Sequence, residues 1–175
     1  MKNIIAIVFL TSSFLGFSQQ KTIDQKVDAL LKKMTLEEKI GQLNQYSGDN
    51  TITGPLTINP NKQEEIKAGK IGSMLNIIGY QYTRQYQELA MQSRLKIPLL
   101  FGLDVIHGHK TTFPIPLGEA ASWDLSAMEL SARIAATEAA ASGIHWTFAP
   151  MVDISRDPRW GRVMEGAGED TYLGS

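Results

Sequence analysis

The sequence predicts an α/β fold with parallel strands. Three observations carry that expectation. Short apolar runs recur along the chain at Ile71–Ile78 (IGSMLNII), Ile97–Leu103 (IPLLFGL) and Ile144–Ile154 (IHWTFAPMVDI). Segments of helical periodicity separate them, giving the order strand, helix, strand, loop, helix, strand. The middle run is continuously apolar, as in a parallel strand buried on both faces.

Taken in order, the first residues read as an export signal. Lys2 supplies a positive start, and Ile4–Leu15 is apolar apart from Thr11, Ser12 and Ser13. Gly16 and Ser18 are the small residues that a cleavage after Ser18 requires. The expected domains are a signal peptide over residues 1–18 and one mature domain over 19–175, periplasmic or secreted. The apolar stretch is well short of the roughly 20 residues of a spanning helix, so no stable membrane insertion is expected.

Ile23, Val27, Leu30 and Leu31 recur at helical spacing and predict a first amphipathic helix. Thr35 with Glu38 forms a capping box that opens a second helix, continuing through Leu43. Residues 47–61 are rich in Gly, Pro, Asn and Thr and predict a loop. Asn61 and Glu64 open a short helix ending near Gly69. Residues 82–95 carry Tyr86, Leu89, Ala90 and Met91 on one helical face. Ser126 with Glu129 forms another box at the start of an Ala-rich helix, and Asp124 is also placed to cap it through Met128. Gly143 stops that helix as a natural left-handed residue.

Composition excludes several functions. The chain of 175 residues is 43% hydrophobic and 20% charged, ordinary for a globular domain. A net charge of -1 without a basic stripe gives no footprint for nucleic acid. The absence of cysteine removes disulfides, thiolate metal sites and a cysteine nucleophile. Gly166 and Gly168 lie in E-G-A-G-E-D, which does not fit a phosphate-binding loop. No cofactor is expected.

Polar residues cluster just after the apolar runs. Asp104 follows IPLLFGL directly, with His107 and His109 behind it. Asp153 lies at the end of the next run, before a dense set: Arg156, Asp157, Arg159, Trp160, Arg162, Glu165, Glu169 and Asp170. Parallel α/β barrels place active sites at the carboxyl ends of their strands. A strand-end Asp can equally be a cap, and the charged run can be a surface salt-bridge network. Trp160 argues for more. Carboxylates accept bonds from sugar hydroxyls, arginine donates in a fixed fork, and an indole face packs the apolar face of a sugar ring. His107 and His109 share a face of an extended segment, but no third ligand is well placed beside them, so no metal is expected. Hydrogen bonds to neighbouring loops suit them better.

FGLDVIHGH (Phe101–His109) resembles the strand-end motif of glycoside hydrolase family 3. FPIPLGEAASWD (Phe113–Asp124) resembles the segment that follows it there, and FAPMVDISRDPRWGRVMEGAGEDTYL (Phe148–Leu173) is similar to the family's long motif. DALLKKMTLEEKIGQL (Asp28–Leu43) fits the entry helices. The resemblance is to periplasmic bacterial members of β-glucosidase type and covers essentially the whole mature chain.

The resemblance implies the N-terminal part of a (β/α)8 TIM-type barrel, left incomplete. It implies retaining hydrolysis of terminal β-D-glucosyl or related β-glycosyl residues from oligosaccharides or glucosides. Asp104 matches the residue that grips hydroxyls of the innermost sugar, and Arg162 matches an arginine binding the same sugar. Trp160 and Glu165 match motif positions as a wall and a support. The nucleophile, the acid/base and a Lys-His pair are expected beyond Ser175. Trp123–Asp124 superficially resembles the nucleophile stretch but stands at the register of the earlier segment. A full barrel takes about 250 residues, against three strand candidates here and a poor fourth near Phe113–Leu117. The isolated chain is therefore expected to be poorly stable and inactive. Two other readings are a non-catalytic secreted sugar-binding module and a metal-dependent barrel hydrolase using His107 and His109.

Overall fold

The computed structural model describes residues 22–48 and 58–174. The expected signal peptide and most of the predicted 47–61 loop lie outside the described residues. The chain divides into two compact units, residues 1–33 and 34–175. The described part of the first is α1 (Ile23–Leu31), the amphipathic helix that the apolar spacing predicts. Thr22 caps it: its hydroxyl accepts from the Gln25 amide at 3.3 Å, and Gln25 Oε1 accepts from the Thr22 amide at 3.1 Å.

The second unit begins with α2 (Leu36–Gln42), opened by the Thr35–Glu38 capping box read from the sequence. Then follow β1 (Gln45–Ser47), α3 (Lys62–Lys67), β2 (Ser73–Leu75), α4 (Tyr80–Ala90), β3 (Leu100–Leu103), α5 (Pro116–Ala121), α6 (Leu125–Ala141) and β4 (Trp146–Thr147). The four strands form one parallel sheet in the order β1-β2-β3-β4. Each strand thus pairs with its predecessor through a helical crossover, as parallel pairing requires.

Register assigns the two faces. Tyr46, Met74 and Phe101 lie side by side across three strands. Met74 is 0% and Phe101 1% exposed, and both pack with Ile66 of α3, Ala90 of α4, and Ala135 and Ala139 of α6. Ser131, Ala135 and Ala139 recur every fourth residue on α6, so a stripe of small side chains lets that helix lie close. The other face carries Leu75, Gly102 and Trp146 in register. Leu100 is 52% exposed, and the Trp146 and Phe148 rings stack at 4.6 Å while remaining 44% and 41% exposed.

The structure corrects several sequence expectations. The Phe113–Leu117 run forms no strand; Pro116 begins α5, where its missing amide is harmless and its fixed φ suits a helix start. The run from Ile144 contributes two strand residues. Beyond them the Ala149 amide donates to Thr147 Oγ1 at 3.1 Å, and Pro150 has no amide to offer. α6 is capped by Asp124, whose Oδ1 accepts from the Ala127 amide at 3.0 Å. Glu129 pairs instead with Arg133 at 3.0 Å. At its far end Gly143, at φ 86°, completes the expected stop, with Ile144 N bonding to Ala139 O and Gly143 N to Ala140 O, each at 3.0 Å. β1 has no counterpart among the sequence expectations.

Candidate functional site

Asp104 is the first residue beyond β3, half-buried between Leu103 and Val105, which are 4% and 8% exposed. Those two buried neighbours fix the backbone from which its carboxylate projects. The chain then turns through a closed loop. Gly108 adopts φ 111°, and a Cβ there would strike the Thr111 carbonyl, so glycine is required. Gly108 pairs with Thr112 in an antiparallel bridge, and Phe113 N donates to His107 O at 2.8 Å.

The charged run after β4 folds back on itself. Met151 bridges to Gly166, and Ser155 N donates to Gly168 O at 3.0 Å. Between those ties lies a 3-10 turn, Val163–Glu165, packed against α5. The turn carries Glu165 to the loop that follows β3. Asp104, Ile106, His107, Ile115, Met164 and Glu165 line one open cavity of about 310 Å³. Asp104 also lines a second cavity, of about 350 Å³, with Tyr80, His109 and Ser142.

Arg162 donates from Nε and Nη2 to Glu165 Oε2, at 3.0 and 2.6 Å. That bond raises the guanidinium above its already high value, with smaller contributions from the charges of Asp153 and Asp104. In return it holds the Glu165 carboxyl below the ordinary glutamate range. Arg162 is therefore cationic, and two of its five N–H donors fix its plane. Trp160 stands two residues earlier, 37% exposed, with its amide donating to Asp157 O at 3.1 Å. Arg159 turns away to Asp157, bonding Oδ2 at 2.6 Å, a local surface pair of small energetic weight.

The candidate residues thus separate. Asp104 and Glu165 share a cavity, Arg162 is tied to Glu165, and Trp160 is on the same loop. His109 Nε2 lies 2.9 Å from Oγ of Ser142, the C-cap residue of α6, so its hydrogen bond goes to a helix end where a neighbouring loop was expected. Among the described residues, no group of three or more His, Asp or Glu side chains is placed to hold a metal ion. Sequence reasoning missed Ile106 and Met164 as cavity walls, and it missed Glu138. Its one available signal was a carboxylate inside an otherwise small-residue stretch of α6.

A parallel sheet with helical crossovers and charged side chains gathered beyond its strand ends defines an α/β domain with a site at its strand ends, the arrangement barrels of this kind share. The glycosyl hydrolase family 3 N-terminal domain matches residues 35–175, and the chain belongs to that family. A periplasmic β-glucosidase of Salmonella typhimurium is 52% identical over 153 residues, covering 87% of this chain and 19% of that protein. A lysosomal β-glucosidase of Dictyostelium discoideum is 34% identical, covering 87% of this chain and 21% of that protein. The crystal structure of Listeria innocua β-glucosidase in complex with isofagomine superposes with a TM-score of 0.78 at 43% identity. It covers 88% of this chain and 22% of the Listeria chain. The fold is accordingly the N-terminal part of a (β/α)8 TIM-type barrel, and the chain spans about one fifth of the length of these relatives.

Proposed function

We propose that the full-length protein in which this chain lies hydrolyses terminal β-D-glucosyl or related β-glycosyl residues with retention, and that this chain supplies part of the innermost sugar subsite. One observation carries the reading: Asp104 from the end of β3 and Glu165, with Arg162 bound to it, meet at one cavity beyond the strand ends. That is where a barrel of this family would receive a sugar. The names of the Salmonella and Listeria relatives support a β-glucoside as substrate, and the periplasmic label of the former supports export; cleavage near Ser18 rests on the small residues Gly16 and Ser18 alone.

In this reading the Asp104 carboxylate accepts bonds from sugar hydroxyls, and these shorten as positive charge develops on the ring in an oxocarbenium-like transition state. The N–H groups of Arg162 not engaged by Glu165 donate to the same sugar. The Trp160 ring forms a wall. No described carboxylate is assigned as nucleophile or acid/base; both roles fall to residues outside this chain. The full-length protein, purified and assayed on an aryl β-glucoside, is expected to turn it over, and Asp104→Asn is expected to lose most of that activity. Wild-type turnover in Asp104→Asn sinks the assignment of this cavity. Saturable glucose binding without any turnover by the full-length protein favours a sugar-binding module instead.

A further inference from the structure

We propose that Glu138 is a positioning residue for the sugar cavity, latching the loop between β3 and α5, and with it Asp104, onto the last turns of α6. The proposal rests on the glycosidase reading of that cavity. Glu138 is the only charged residue between Ala135 and Ser142, a stretch whose Ala135 and Ala139 are packed into the core. Its carboxylate is directed at the loop. Oε2 accepts from both the Lys110 and Thr111 amides at 2.8 Å, and Oε1 accepts from Thr111 Oγ1 at 2.6 Å. These bonds, with the Thr111 hydroxyl foremost, hold the carboxyl below the ordinary glutamate range.

One turn further on, Ser142 Oγ donates to Glu138 O at 3.1 Å and lies 2.9 Å from His109 Nε2. With the hydroxyl hydrogen directed at the carbonyl, His109 Nε2 is the donor to Ser142. The last turn of α6 and its C-cap residue therefore hold residues 109–111, while the Gly108–Thr112 bridge closes the loop. This loop is the wall between the two cavities that Asp104 lines: His107 and Gly108 face one, and Gly108, His109 and Lys110 face the other. Release of the wall changes the surroundings of Asp104 on both sides.

A merely structural role would act through stability. Lys110 and Thr111 are exposed and lie outside the hydrophobic core, so a released loop is rehydrated without disturbing the core. The latch should instead be read in loop dynamics and kinetics. In the full-length protein, Glu138→Ala removes both accepting oxygens and leaves all three loop donors without their acceptor. The Lys110 and Thr111 amides are expected to exchange with deuterium at least about tenfold faster, with the melting temperature little changed. On an aryl β-glucoside, kcat/KM is expected to fall about tenfold, the scale of one charge-assisted hydrogen bond. Thr111→Val should reproduce part of both effects, and Thr111→Ser, which keeps the hydroxyl, should restore wild-type values. Unchanged amide exchange in Glu138→Ala overturns the latch. Faster exchange with unchanged kcat/KM overturns its bearing on the site. If the wild-type protein turns over no β-glycoside, the glycosidase reading fails and the exchange measurement alone decides the latch.

Discussion

Arg162 precedes and Glu165 ends a single 3-10 turn, and their bond decides what each can do. The Glu165 carboxyl is depressed by Arg162, so its charged form is favoured in the folded protein. The sign follows. The pair's contribution is complete above the unfolded glutamate pKa, near about 4.3, and is lost as pH falls through the lower folded value. The tether of Arg162 should thus hold throughout neutral and mildly acidic buffers. An NMR titration of the Glu165 carboxyl is expected to give a midpoint below that of an exposed glutamate; a midpoint above it refutes the pairing. Arg162→Lys keeps the charge and loses the planar fork, so kcat/KM of the full-length protein should fall by about tenfold or more. Asp104 and Arg162 could be picked out as candidates because they sit in long ordered motifs. Glu138 was not, because its partners are two loop amides and a hydroxyl nearly thirty residues away, and no local spacing encodes such a bond.

The helices were read more faithfully than the strands, for a physical reason. A cap is a local event, and Thr35 with Glu38 states it in four residues. β1 is three residues long, Gln45–Ser47, with no apolar run; only its pairing with β2 makes it a strand. The FPIPLG segment looks apolar and extended, yet Pro116 turns it into a helix start. At α6 two signals competed. Asp124 won because its side chain reaches the Ala127 amide, whereas Ser126 already lies within the first turn. In the full-length protein Asp124→Ala should therefore cost about 1 kcal/mol of stability in chemical denaturation, and Ser126→Ala close to nothing. The reverse order would show that the cap is misassigned. Phe101, 1% exposed at the centre of the sheet, is a different case. Phe101→Ala should cost about 3–5 kcal/mol by leaving a cavity that the short helices cannot fill.

At the scale of the molecule, the sheet is finished on one side only. Helices cover Met74 and Phe101, while Leu100, Trp146 and Phe148 remain substantially exposed on the other face. The continuous apolar character of IPLLFGL made the parallel strand legible and predicts cover on both faces, whereas this chain covers one of them. What covers the second face could not be read, since that surface is built by long-range partners. The isolated chain should therefore bind an apolar dye strongly and show broad, weakly cooperative melting. A sharp transition without dye binding would show that this face is closed by some other means. The strand order β1-β2-β3-β4 has a consequence for synthesis. Every strand docks on the one made just before it, so nothing already in place must reopen to admit a newcomer. The sheet can be laid down during translation, one row at a time, each row waiting only for its own crossover helix to leave the ribosome.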